Sequence, residues 1–195
     1  GYSEFATVSD SSNQGTVSGN GDYIGGLIGF NTKAQVEDCQ NSGDVGNDKA
    51  GKYIGGLIGA NGRTNGISSY ENTKPVTNST STGNVSGTSH VGGLIGYNFA
   101  DPDDGPISSC TSTGEVTASG DICGGLIGFN YIGYIDDSHH TTGTVSGGNN
   151  VGGLFGLVRS SSWIYNSSSS GSVNGSGNNV GGFIGIADGN TIIIE

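Results

Sequence analysis

The sequence predicts an all-β chain, a right-handed parallel β-helix of about six coils with three short strands in each, on three observations. The first is glycine, with forty in 195 residues against three prolines and no three-residue period. That content excludes collagen and disfavours ordinary helices, because glycine loses the most backbone freedom on ordering. The second is a repeated pentapeptide. GGLIG begins at Gly25, Gly55, Gly92 and Gly124, then returns as GGLFG at Gly152 and GGFIG at Gly181. The third is spacing: a GxV element precedes each copy, starting at Gly15, Gly43, Gly83, Gly114, Gly143 and Gly171, with steps of 28, 40, 31, 29 and 28 residues.

A further apolar position lies between these elements. Val8, Val36, Val76, Ile107 and Ile164 each stand seven residues before a GxV glycine, and Val8 makes the start of the chain the tail of a partial repeat. Ile135 stands eight residues before Gly143, which calls for one extra residue or a bulge in the fourth copy. Three segments of about five residues each, separated by Gly, Asn, Ser and Thr, cannot bury a face alone. Stacked as coils, equivalent segments pair in parallel at ~4.8 Å and fill one continuous interior. Right-handed winding follows from the crossover rule for parallel strands. A propeller or antiparallel sandwich requires longer blades and two-residue hairpins, which this repeat lacks.

The paired glycines are expected to supply positive φ or close backbone approach at a corner. Strict alternation places Val91, Gly93 and Ile95 on one face and Gly92, Leu94 and Gly96 on the other. Either Leu94 packs outward, then, or the glycine pair shifts the register. Asn31, Asn61, Asn98 and Asn130 align two residues after the pentapeptide's last glycine, as a hydrogen-bonded Asn ladder that Val158 and Ala187 end. Cys39 and Cys110 share one repeat position with Ser11, Ser79 and Ser167. Two coil spacings set them about 10 Å apart, beyond disulfide reach. Cys123 takes the position of Val91 and Val151, so all three cysteines are expected to be free, buried thiols used as small apolar groups.

The repeated GGLIG, with its upstream GxV and its Ser/Thr-rich downstream strand, resembles the GLUG repeat, a glycine-leucine-any-glycine module of bacterial surface proteins. Those proteins include adhesin-like ones and the non-catalytic regions of IgA-specific metalloendopeptidases. The resemblance covers almost the whole chain. It implies export, a bacterial cell-surface setting and a non-catalytic role as an adhesin-like binding domain or structural stalk. It does not imply peptidase activity, because the HExxH zinc pattern is absent.

Charge narrows the partners further. Seventeen acidic against six basic residues give a net charge of −11, which repels nucleic-acid phosphates and anionic membrane surfaces. No apolar run approaches the ~18 residues of a bilayer span, so direct membrane insertion is not expected. No cofactor is indicated. An extracellular polysaccharide-degrading β-helix is the alternative function, but Asp136 and Asp137 are adjacent and diverge in a strand, whereas a glycosidase pair faces one cleft. His139 and His140 diverge likewise and are expected to be solvent-exposed rather than metal ligands. The string DPDDG resembles part of a calcium loop but has Gly105 at the third ligand position. The TxT strings at Thr80 to Thr82 and Thr111 to Thr113 raise an ice-binding solenoid as a third class, although only two copies carry them.

The whole chain, 1–195, is expected to form one domain, a fragment of a longer surface protein, since a solenoid without caps exposes open ends. Function is expected where the coil tolerates insertions. From Asn31 to Val36 there are 5 residues, from Asn61 to Val76 15, from Asn98 to Ile107 9 and from Asn130 to Ile135 5. Coils two and three are neighbours, so their long excursions project side by side. They carry Arg63, Tyr70, Glu71 and Lys74 in one loop, and Phe99, Asp101, Asp103 and Asp104 in the other. Aromatic groups beside charges suit a glycan, or a host or bacterial surface protein.

Overall fold

The computed structural model describes residues 2–3, 6–47, 49–62, 74–100 and 105–194. Their regular structure is all β, in short parallel strands stacked as a solenoid of about six coils. The third coil shows the pattern. It runs through Val76–Thr77, Thr80–Ser81, Val85–Gly87, Ser89–Gly92 and Ile95–Phe99, each strand paired in parallel with its equivalents in the coils before and after. The expectation of three strands per coil is thereby corrected to five, named here first to fifth ladder from Val76–Thr77 onward.

The extra strands arise because two of the three predicted segments bend within themselves. Asp10, Asp38, Asn78, Ser109, Asp137 and Asn166 occupy one bend in every coil, with φ between 45° and 53°. Five of the six are Asp or Asn, the non-glycine residues that best tolerate left-handed backbone. A second left-handed position is held by Tyr23, Tyr53, His90, Ile122, Asn150 and Asn179. Of the two roles open to the glycine pairs, positive φ is not the one found: among the described residues, glycines with positive φ are Gly46, Gly62, Gly105 and Gly189.

Close approach is what the pairs provide. A Cβ on Gly93 would stand 2.9 Å from Ser112 Cβ, one on Gly26 2.5 Å from Asn41 Cγ, and one on Gly125 2.5 Å from His140 Cγ. In the first five pairs the second glycine thus presses across the coil onto the inward side chain of the second ladder. This pinch divides the interior in two. One core holds Val36, Leu57, Ile58, Leu94, Ile95 and Phe155, the other Val45, Ile54, Val85, Val91 and Cys123. Leu94 therefore does not turn outward. The chain bends between Gly92 and Ile95, so Val91 enters one core while Leu94 and Ile95 enter the other, all with no exposed surface.

The Asn ladder is present. Asn31 Nδ2 donates to Asn61 Oδ1 at 2.9 Å, Asn61 to Asn98 at 2.9 Å and Asn98 to Asn130 at 2.7 Å, all buried. It ends at Val158, as expected: Val158 pairs with Asn130 in the sheet and packs into the core, and Asn130 Nδ2 donates instead to Ser162 Oγ at 3.0 Å. Ile127–Asp136 is one continuous strand that carries the chain from the fourth coil into the fifth, and the register shifts between Asn98 and Phe99, so Phe99 opposes Ile132. That is the predicted extra residue. The three cysteines are free and buried. Desolvation pushes the Cys110 and Cys123 thiols up to about 12 and raises that of Cys39.

Candidate functional site

Outward positions on the fifth ladder follow directly from the pentapeptide. Its apolar residues and the Asn ladder turn inward, and the residue after its last glycine forms a separate column, Phe30, Ala60, Tyr97, Phe129, Leu157 and Ile186 in successive coils, in which Ala60 and Leu157 are buried and the other four half-buried. The second left-handed bend, at Tyr23, Tyr53 and His90, brings its side chains alongside this column. Tyr23 stacks on Tyr53 with centroids 5.2 Å apart and planes 13° from parallel, and lies 5.3 Å from Phe30. Tyr53 meets His90 at 4.9 Å and Tyr97 at 5.3 Å, and Tyr97 meets Phe129 at 5.3 Å. A third column adds Phe99 stacked on Tyr131 at 4.9 Å, with Tyr131 6.0 Å from Phe129.

The result is a ribbon of seven Phe and Tyr rings and one imidazole, every member half-buried, running along the solenoid axis on one outer face. It uses half of the chain's fourteen Phe and Tyr residues, whereas the fully buried core has Phe155 as its one aromatic among the described residues. Charged groups edge it. The Arg159 guanidinium carbon stands 5.8 Å from the Phe129 centroid, and its Nε contacts Asp188 at 3.1 Å. His90 is held neutral, its pKa lowered to about 4 by burial first and by Lys52 second, with Asp22 opposing. Desolvation, then Tyr23 and Asp22, raises the Tyr53 hydroxyl.

Sequence reasoning missed this ribbon. Its signal was the aromatic residue at one fixed place after the pentapeptide, in Phe30, Tyr97 and Phe129. What could not be read was the bend that sets Tyr23, Tyr53 and His90 beside them.

Of the residues proposed from insertion lengths, Arg63, Tyr70, Glu71, Asp101, Asp103 and Asp104 lie outside the described residues. The loops that carry them leave from paired positions, Gly62 opposite Phe99, and return at paired positions, Val76 opposite Ile107. Phe99 belongs to the ribbon, so both loops depart from its margin. Lys74 is exposed and lines a shallow depression with Ala6, Thr7, Lys33 and Gln35.

The histidine expectation holds only in part. His139 is partly exposed, with Nε2 3.2 Å from Asp137 Oδ1 and Nδ1 2.9 Å from Ser168 Oγ. His140 is fully buried, because its side of the second ladder faces the pinch; its ring nitrogens lie 3.1 Å from Ser112 Oγ and 3.0 Å from Gly143 O. Asp136 ends a strand and Asp137 occupies the left-handed bend. Among the described residues no three His, Cys, Asp or Glu side chains gather as a metal-binding group. Thr80 and Thr111 are paired neighbours, but the same outward row continues through Gln40, His139 and Ser168, so it is no uniform threonine array.

These features define a parallel β-solenoid built from one pinched repeat. The family described as "The GLUG motif" matches residues 20–46 and 87–117. The other copies keep ladder register with these two. No curated protein matches the chain in sequence. In fold it is similar to a candidate immunoglobulin A1 protease from Bacteroides ovatus, with a TM-score of 0.72 and 21% identity over 100% of this chain and 62% of that one. The chain thus spans less than two thirds of that protein's length, and the likeness is one of fold.

Proposed function

We propose that this chain is a non-catalytic repeat module of a bacterial cell-surface protein that acts as an adhesin-like binding domain, with the aromatic ribbon and the adjoining loops as its contact surface. The observation that carries this reading is the ribbon itself. A contiguous, partly exposed aromatic face on an acidic protein is the kind of patch that marks an interaction site, since rings supply large contact area at low conformational-entropy cost. Arg63, Tyr70, Glu71, Lys74, Asp101, Asp103 and Asp104 would extend that surface through the two neighbouring loops, and Phe99 joins loop to ribbon. The partner is a glycan or a surface protein of the host or of bacteria, met outside the cell.

The test is binding of the purified chain to glycan arrays and to panels of host surface proteins. The wild type is compared with a variant in which both loops are shortened to the length found between Asn130 and Ile135, and with Tyr53→Ala/Phe129→Ala. A partner that loses at least tenfold in affinity with the ribbon variant supports the reading. Affinity unchanged in both variants, with folding intact, would refute it.

A further inference from the structure

We infer that the aromatic ribbon binds a neutral, extended β-linked polysaccharide laid parallel to the solenoid axis. This inference rests on the binding-module reading and names its ligand. Three observations lead to it: the period of the array, its amphipathic character and the absence of any structural need for its rings.

The period is polymeric. Ring centroids succeed one another along the axis at 5.2 Å from Tyr23 to Tyr53, 5.3 Å from Tyr53 to Tyr97 and 5.3 Å from Tyr97 to Phe129. A receptor that repeats at the coil spacing suits a ligand that repeats too, and an extended β-linked pyranose chain advances by a comparable distance per sugar. From the coil of Tyr23 to that of Phe129 are three steps of ~4.8 Å, about 14 Å, room for three to four sugars.

The chemistry is amphipathic. Tyr23 and Tyr53 lie nearly parallel, but Tyr97 meets Tyr53 at 61° and Phe129 at 69°. Rings in such edge-to-face pairs cannot all cover one another's faces. A pyranose ring has apolar C–H faces, polarised positively, which pack on the negative face of an aromatic ring, while its rim of hydroxyls seeks donors and acceptors. Tyr53 and Tyr131 carry a hydroxyl as well as a ring in the same half-buried ribbon. Charge excludes the acidic sugars: the chain carries −11, and around the ribbon Lys52 is offset by Asp22 and Arg159 by Asp188.

The rings are dispensable for stacking. At the same two repeat positions the fifth coil has Asn150 and Leu157 and the sixth has Asn179 and Ile186, with the same left-handed backbone and the same ladder pairing. Coils form without aromatics there, so the concentration of rings in the first four coils calls for another reason.

The experiment is isothermal titration of the whole chain with cellohexaose, chitohexaose, mannohexaose and xylohexaose, with their dimers and tetramers, and with a galacturonic acid hexamer at 0.15 M salt. At least one neutral hexamer is expected to bind, at least about tenfold more tightly than its dimer and more tightly than the acidic hexamer. The triple variant Tyr53→Asn/Tyr97→Leu/Phe129→Leu installs residues native to these columns in the fifth coil, which keeps the fold, and is expected to lose at least about tenfold in affinity at an unchanged melting profile. Tyr134→Ala/Tyr165→Ala, on the first ladder, is expected to bind like the wild type. No binding of any neutral hexamer at millimolar concentration, preference for the acidic one, or indifference to the triple variant overturns the inference. A protein partner that needs the ribbon while every oligosaccharide fails would overturn it too, yet leave the binding-module reading standing.

Discussion

Single residues in this solenoid act in columns, because each side chain meets its own equivalent one coil away. The serine-cysteine column shows what that does to a substitution. Ser79 Oγ donates to Thr77 O at 2.8 Å and accepts from Cys39 N at 3.2 Å; Cys39 and Cys110 direct their thiols to the same carbonyl two residues back, at 3.2 Å each. Serine and cysteine are therefore interchangeable here. Cys123 differs, since it replaces a valine in the second core and its sulfur lies 3.6 Å from Val116 O. Cys39→Ser and Cys110→Ser are expected to change urea-unfolding stability by less than about 1 kcal/mol, and Cys123→Val likewise, whereas Cys123→Ser costs about 1–3 kcal/mol by burying an ill-satisfied hydroxyl. An equal response at all three sites would contradict this assignment. Folded wild type should also react slowly with a thiol reagent, since burial keeps all three groups protonated.

At the scale of the element, the glycine pair decides the shape of the coil. Its contribution is proximity: two backbones and a side chain meet where no Cβ fits. The N–H of Gly93 reaches Gly125 O at 3.1 Å in the next coil, so the strand cannot move aside without losing that hydrogen bond. Gly93→Ala is expected to cost about 3 kcal/mol or more, through overpacking against the backbone of the following coil. Gly182 is the equivalent residue in the last coil, and a Cβ there meets nothing within 4 Å. Gly182→Ala is expected to stay within about 0.5 kcal/mol. Thermal melts of the two variants test the contrast, and a Gly182→Ala penalty as large as that of Gly93→Ala would remove the pinch as its cause.

For the whole molecule, stability should fall on the acid side through two histidines. His140 is buried in the pinch between Ser112, Gly125, Gly143 and Gly171, and desolvation lowers its pKa; His90 is lowered to about 4. The unfolded chain binds these protons near pH 6.5 and the folded chain does not, so stability is full above about 6.5 and declines as the pH falls toward 4. His90 accounts for at most about 3 kcal/mol of this, and partial exposure of its ring reduces that. The repeat supplies its own control: His90→Tyr/His140→Ser restores the residues found at Tyr53 and Ser112. The double variant is expected to lose less melting temperature than the wild type between pH 7 and 4.5, by several degrees. Equal losses would assign the acid sensitivity to the carboxylates.

The repeat, its coil count, the Asn ladder, the shared cysteine position and the extra residue in the fourth coil were legible from the sequence alone. All of them follow from periodicity, and parallel stacking converts period directly into contact. The exit points of the two long loops were legible for the same reason. What only the tertiary structure decided is how each coil is folded across itself. Whether Gly93 turns or is pressed, whether Leu94 faces in or out, why His140 is buried and why Tyr53 lies beside Tyr97 all depend on contacts between segments of different ladders, which have no fixed spacing along the chain. The aromatic ribbon belongs to this second group, because its columns meet only after two left-handed bends and one glycine pinch have closed the coil.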